Sequence, residues 1–401
     1  MFAVAAFRLR NSRRQLRATI ICLLAAFVFA LAASPLVAAG LELNYRGKIR
    51  LETDSAIDQR GTAFKIVGLS GVAYCGGDDF ISVMDNSNRL VKLKVTFNPD
   101  GSIKTRSVAG GHTITESRDY EGIAYTGPER NSVFISNEAT PPPPPLYEYN
   151  LDASGSLLQT VKMPAVFMGQ VDNRGLESLT RRADGKEMWT ANEEALTGDG
   201  PTATATTGTV VRLVRMAVDG NHVTPSQEYA YLVDPIHAGI GKPFCSGLSD
   251  LLVLPDGTLL TLERSAMEGL PVFETRIYQV DFAGATDISQ GALAEGLLGK
   301  NYTPVKKTLL FSTANSEVGN RINENLEGLC LGPKLSEGHW AVLGVVDSGD
   351  PLSKNTLVSF ELITATPEPP MTMIYGAAGG GALVVILIFA ALIRRKRASS
   401  T

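Results

Sequence analysis

The sequence predicts an all-β protein, a β-propeller of four-stranded antiparallel blades, with an export segment before it and one C-terminal transmembrane helix behind it. Three observations lead there. A short motif recurs five times, each copy is followed by further short apolar runs separated by turn residues, and no long amphipathic helix interrupts the series. With 44% hydrophobic and 19% charged residues over 401 positions the chain is too apolar to be disordered. Its 39 Gly and 21 Pro follow no collagen-like period.

The five copies begin Gly68-Leu69-Ser70-Gly71-Val72-Ala73-Tyr74, Tyr120-Glu121-Gly122-Ile123-Ala124-Tyr125, Gly175-Leu176-Glu177-Ser178-Leu179, Gly247-Leu248-Ser249-Asp250-Leu251-Leu252 and Asn325-Leu326-Glu327-Gly328-Leu329-Cys330. Hairpin signals such as Ala183-Asp184-Gly185 and Pro255-Asp256-Gly257 lead to second runs at 80–84, 132–135, 187–190, 258–262 and 340–346. Third runs follow at 90–95, 146–151, 210–217, 276–282 and 356–362, and fourth runs include 157–163 and 228–233. The last unit has only three strands of its own, so residues 41–51 are expected to supply the fourth and close the ring. Five blades are visible, and the longer third and fourth units have room for a degenerate sixth.

The flanks read differently. Arg8 to Arg17, an apolar run over 18–36 and Val37-Ala38-Ala39 describe a signal peptide over 1–39, with an uncleaved signal anchor as the alternative. The propeller domain is placed at 40–363 and a linker at 364–370. An uncharged 23-residue stretch, 371–393, is long enough to span a bilayer, and the basic tail 394–401 opens with Arg394-Arg395-Lys396-Arg397. Pro367-Glu368-Pro369, the apolar stretch and the arginine cluster together resemble a PEP-CTERM sorting signal. That resemblance implies an exosortase-type processing enzyme and delivery of the propeller to the periplasm, the cell surface or the extracellular matrix. The other reading is an ordinary membrane anchor.

Nine of the 37 basic residues sit in these two ends, leaving 28 against 41 acids. An acidic body speaks against nucleic acid as a partner and is compatible with cations. Cys75, Cys245 and Cys330 read as buried strand residues with at most one internal pair, and only His112, His222, His237 and His339 are available, so a Cys/His zinc site is not expected.

In an antiparallel pair the start of the first strand lies beside the end of the second. First strands are taken to start at Glu121, Glu177, Asp250 and Glu327. Second strands are taken to end at Asp85, Glu138, Glu193, Glu263 and Asp347. Innermost strands line a propeller's channel, so these acids should gather at one mouth. Like charges brought that close raise their own pKa values or call for a cation, and oxygen ligands suit Ca²⁺. The expected metal ligands are Asp85, Glu121, Glu177, Glu193, Asp250, Glu263, Glu327 and Asp347. The competing reading has each acid accepting backbone N–H bonds between blades. The glycines beside them (71, 122, 175, 247, 328) are expected to be crowded or in the φ > 0 region. There is no G-x-S-x-G elbow, and Arg174 and Arg264 are among several basic residues near strand ends that offer either a phosphate contact or solvated charge.

These motifs in this order, together with Leu262-Glu263-Arg264 and Val346-Asp347-Ser348, resemble the family called esterase-like activity of phytase, over about 62–362. The resemblance implies a propeller and an esterase or phosphoesterase activity, and it assigns no catalytic residue. The expected function is metal-assisted hydrolysis of a small-molecule or polymer ester or phosphoester. The alternative is a non-catalytic extracellular binding or scaffold propeller.

Overall fold

A computed structural model describes residues 40–138, 143–171, 173–317, 321–336, 338–349 and 353–364, with 375–376 and 383–384. The expected signal peptide, the Pro-Glu-Pro linker and the basic tail lie outside the described residues. So does nearly all of the expected transmembrane helix. Inside its span, β23 (Tyr375–Gly376) pairs antiparallel with β24 (Leu383–Val384), so the described residues there are extended rather than helical. Among the described residues no helix is long and apolar enough to cross a membrane.

β1 (Glu42–Arg50) comes first, followed by a small hairpin of β2 (Ser55–Ile57) and β3 (Ala63–Lys65). Blade one is β4 (Leu69–Gly76), β5 (Asp79–Met84), β6 (Ser87–Phe97) and β7 (Ile103–Arg118). Blade two is β8 (Tyr120–Tyr125), β9 (Ser132–Asn137), β10 (Leu146–Asn150) and β11 (Leu157–Val161). Blade three is β12 (Leu176–Arg181), β13 (Glu187–Asn192), β14 (Thr209–Asp219) and β15 (His222–Val233). Blade four is β16 (Ile240–Val253), β17 (Leu259–Leu270), β18 (Phe273–Asp281) and β19 (Lys306–Ser312). Blade five is β20 (Leu326–Ser336), β21 (His339–Val346), β22 (Thr356–Ile363) and, at its outer edge, β1. Five four-stranded sheets are thus present among the described residues. The extra length of units three and four goes into loops and a long hairpin, not a sixth blade.

Each sheet buries both faces against its neighbours, which is why inner strands read as unbroken apolar runs. One core cluster lies at each of the five blade junctions. Ile81 and Val83 meet Tyr120 and Val133 between blades one and two, and Leu252 and Ile277 meet Leu329 and Val342 between blades four and five. The ring closes where Leu343 and Val345 pack against Leu69 and Val72. Cys75, Cys245 and Cys330 are free thiols on first strands.

The ladder between β1 and β22 runs from Glu42↔Ile363 to Arg50↔Thr356, so the strand that precedes all the repeats covers the edge of the last one. Because β22 begins on the side where first strands start and ends on the other, Glu42 and Ile363 both lie on the opposite side of the ring. Removing residues 42–50 exposes the β22 edge and the Phe360 face. A large fall in the thermal midpoint and a tendency to aggregate are expected, read by calorimetry and light scattering. An unchanged midpoint would show that the ring does not depend on this strand.

The innermost strands of blades two and five approach their neighbours most tightly two residues beyond their starts. A Cβ on Gly122 would lie 2.3 Å from the Leu179 nitrogen and 2.5 Å from the Ser178 carbonyl carbon, and one on Gly328 would lie 2.4 Å from the Ser70 carbonyl oxygen. Neither glycine has positive φ, so crowding alone excludes a side chain. Gly122→Ala should therefore cost about 1–3 kcal/mol through backbone displacement. That corresponds to a fall of several degrees in the thermal midpoint, whereas Gly220→Ala, in an open turn, should respond only through its positive φ of 57°.

Candidate functional site

Each first strand carries a β-bulge, at its start in four blades and within the longer β16 in blade four. The register skips between Leu69 and Val72, Tyr120 and Ile123, Leu176 and Ser178, Leu248 and Asp250, and Leu326 and Gly328. A bulge adds one unpaired residue and re-aims its side chain. The residues directly after the first bulge anchor are Ser70, Glu121, Glu177, Ser249 and Glu327. Facing them, one residue beyond the partner of each bulge anchor, are Asp85, Glu138, Glu193, Arg264 and Asp347. In four blades the backbone N–H of this rim acid donates to the carbonyl just before the first strand: Asp85 to Gly68, Glu138 to Asp119, Glu193 to Gly175 and Asp347 to Asn325, at 2.7–2.9 Å.

The result is one cavity of about 560 Å³ at the mouth of the ring. Its acids are Asp85, Asp119, Glu121, Glu138, Glu177, Glu194, Glu327 and Asp347, against two bases, Arg174 and Arg264. Five of the expected ligands, Asp85, Glu121, Glu177, Glu327 and Asp347, line it. Glu193 stands directly behind, with carboxylate oxygens of Glu138, Glu177 and Glu193 all within 4.8 Å of one another.

Asp250 and Glu263 do not belong to the site, and the reason is a slip of one residue in blade four. There the bulge and rim positions are Ser249 and Arg264, and a shift of one along a strand sends a side chain to the other face. Asp250 accepts the N–H of Leu329 at 2.7 Å, of Leu251 at 2.8 Å and of Leu179 at 3.4 Å, linking the inner strands of blades three, four and five. Burial pushes its carboxyl up to about 8, against the pull of those three donors. Glu263 turns outward to the Tyr231 hydroxyl and Lys307 ammonium, each at 2.6 Å, and accepts the Asp234 N–H at 3.0 Å. Both follow the structural reading.

Asp119 and Glu194 were missed. Asp119 occupies the place before the first strand that is glycine in blades one, three and four, so its only signal was a departure from the repeat. Glu194 follows the rim acid of blade three and was masked by Glu193.

The acids repel one another. Burial, followed by Asp85, Glu138 and Glu327, raises the Glu121 pKa well above its ordinary range, although Ser70 donates a hydrogen bond to its carboxylate. Burial and the charges of Glu138, Glu121 and Glu193 do the same to Glu177. Glu138 is pushed up to about 8 by burial and Glu193, and Glu327 to about 8 by burial despite the nearby Arg264. Arg264 lies 2.8 Å from Glu193 Oε1 and 3.5 Å from Glu327 Oε1, and Arg174 lies 3.2 Å from Glu193 Oε2 and 2.9 Å from Glu194 Oε1. Gly247 makes this possible, because a Cβ there would sit 2.4 Å from the Glu193 side chain.

A cation therefore has two faces to choose from. On the arginine face, Glu193 is already neutralised twice. On the other, Asp85, Asp119 and Glu121 bring three carboxylate oxygens within 4.8 Å of one another. Ligands at the Ca²⁺ distance of about 2.4 Å span at most about 5 Å across one ion, so this triad matches a single coordination sphere. Among the described residues no histidine or cysteine lines the cavity: His112 is buried, His237 sits between Ser265 and the Pro271 carbonyl, and His339 meets Glu361. The donor set is all oxygen and suits a hard ion.

No curated protein matches the sequence. Among solved structures, the chain is similar to the periplasmic gluconolactonase of Pseudomonas aeruginosa, at 13% identity over 82% of this chain and 100% of that one, with a TM-score of 0.33. It is also similar to the endo-arabinase of Bacteroides thetaiotaomicron, at 13% identity over 82% and 99%, with a TM-score of 0.36. Likenesses at this level carry no argument about activity. The family description "esterase-like activity of phytase" is matched across residues 65–347, from the end of β3 through all five first strands to the last rim acid, and the chain belongs to this phytase-like family.

Proposed function

We propose that this protein is a metal-assisted ester or phosphoester hydrolase whose chemistry takes place in the acidic cavity. The observation that carries the reading is the convergence of carboxylates from blades one, two, three and five on one space, with burial and mutual repulsion holding several above their ordinary pKa values. Perturbed acids in a cleft are where acid–base and metal chemistry is found.

Asp85, Asp119 and Glu121 would hold a divalent ion, with Ca²⁺ the best match to an all-oxygen set. Bound there, such an ion would polarise a substrate oxygen and acidify a coordinated water. The chain's own groups supply the rest. Glu138, pinned by the Gly175 N–H at 2.9 Å, keeps a proton at neutral pH that it can pass to a departing oxygen. Arg174 and Arg264, fixed by Glu193, present cationic groups on the facing wall. The N-terminal segment is taken to export the chain and the C-terminal one to tether or sort it. The ring's own ends, Glu42 and Ile363, lie on the side opposite the cavity.

Turnover tests the proposal directly. The full-length chain should hydrolyse p-nitrophenyl phosphate or acetate with calcium and lose the activity in EDTA. Glu121→Gln should lower kcat/KM at least roughly 10- to 100-fold while the far-ultraviolet dichroism stays unchanged. No turnover on any ester or phosphoester, with or without metal, would leave the non-catalytic binding propeller.

The pH dependence has a definite sign. Acids with raised folded-state pKa values bind protons more tightly folded than unfolded, so their contribution is fully present below about 4.5 and is lost as pH rises through about 8. In EDTA the thermal midpoint should fall between pH 5 and pH 8.5. Burial also holds the Glu121 carboxyl high, and calcium bound there displaces its proton, so the stabilisation by calcium should grow as pH rises. Coincident melting curves with and without calcium at every pH would remove the ion from the site.

A further inference from the structure

The cavity is unsymmetrical in a way the acids do not explain. In blade four, β16 starts at Ile240, seven residues ahead of Gly247, and β17 runs on to Leu270, so the pair Ile240↔Leu270 ends a two-stranded arm raised above the rim. Within that arm the register skips between Pro243 and Cys245, which makes Phe244 the unpaired residue of a second bulge. Its neighbour Cys245 is buried, yet Phe244 is 58% exposed and lines the cavity. A large aromatic ring left in water at a bulge costs stability that an ordinary paired position would recover by burial.

The ring is also held in place. The Arg174 guanidinium carbon lies 5.8 Å from its centroid, within cation–π range. Arg174 is in turn clamped by Glu193 and Glu194, and Glu194 Oε2 accepts the Ala203 N–H at 3.0 Å. Val171 and Ala203 line the cavity beside these residues. One wall of the mouth is thus acidic and cation-ready, and the other offers a fixed aromatic face with small apolar neighbours.

We infer that Phe244 is a specificity-determining residue, a platform for a ring on the substrate next to the ester group that the acidic wall engages. This rests on the hydrolase reading above and names its substrate class: esters or phosphoesters whose organic part carries an aromatic ring or a sugar ring with an apolar face. A ringless alkyl ester reaches the acidic wall and leaves Phe244 uncovered.

The test is calorimetric titration of the full-length chain in calcium with phenyl phosphate, glucose 1-phosphate and methyl phosphate. Stacking of this kind contributes about 0.5–1.5 kcal/mol, so at least one ring-bearing ligand should bind roughly 2- to 12-fold more tightly than methyl phosphate. Which of the two gains distinguishes an aryl from a sugar substrate. Phe244→Ala should erase that preference and leave methyl phosphate affinity unchanged, and Phe244→Trp should keep it. The thermal midpoint of Phe244→Ala serves as the folding control. Equal affinity for all three ligands in the wild type, or equal losses for all three in Phe244→Ala, overturns the platform while the hydrolase reading stands. Absence of calcium-dependent binding by any of them overturns the platform, and with no turnover of p-nitrophenyl phosphate or acetate it overturns the hydrolase reading as well.

Discussion

The structure depends on how closely five innermost strands can approach. Radial sheets converge toward the axis, and at the tightest level a side chain has no room in the junctions formed by Gly71, Gly122 and Gly328. Each of these glycines faces the backbone of the next blade's bulge residue: Gly71 the Glu121 carbonyl, Gly122 the Glu177 carbonyl and Gly328 the Ser70 carbonyl. Blades three and four carry Ser178 and Asp250 at this level instead, and Asp250 fills the wider gap with a carboxylate bridging Leu179 and Leu329. Since the level below the bulges is filled with backbone, the bulge side chains have only the mouth to occupy. Acids there are consequently close together whatever their chemical use.

That closeness sets this site apart from the other buried charges of the molecule. Arg212, wholly buried, bonds Asp199 through two nitrogens at 2.7 and 2.8 Å, Glu228 at 2.8 Å and the Leu293 carbonyl at 2.9 Å, so the cluster closes on itself. A buried ion group satisfied in this way is an architectural strut, tying the blade-three loops to the sheet. At the ring mouth, among the described residues, eight lining acids face two arginines, and both arginines are already engaged by Glu193. The balance there must come from protons, cations or ligand. A scaffold that needed only rigidity would gain from replacing several of these acids with neutral hydrogen-bonding residues.

Much of this was legible in the sequence because a repeat repeats its chemistry. Five in-phase motifs gave the blade count, the missing fourth strand of the last unit gave the role of residues 41–51, and the strand-start and strand-end positions put Asp85, Glu121, Glu177, Glu327 and Asp347 on one rim. What failed was blade four. Ser-Asp-Leu was aligned by its acid, whereas the fold aligns it by its bulge, and the one-residue difference moved Asp250 and Glu263 to the wrong faces and hid Arg264 as the rim residue. Asp119 escaped because it replaces a glycine, and Phe244 because a bulge inside a long hairpin leaves no period to read. Alternation locates faces only while the register is regular, and the residues that line the cavity sit where it is not.

The divergence of blade four follows from the symmetry of the rest. Were all five rim positions acidic, the ring would face itself with like charges and have only Arg174 to offset them. Arg264 at the fourth position breaks that pattern from within the repeat, reaching Glu193 on one side and Glu327 on the other. Arg174, from the turn before β12, completes the clamp on Glu193 and carries Phe244 above it. The blade that contributes no acid is thus the one that gives the cavity direction: a carboxylate triad on the side of blades one and two, cationic and aromatic groups on the side of blades three and four. A five-fold scaffold would present five nearly equivalent rim positions, and the single altered blade removes that equivalence.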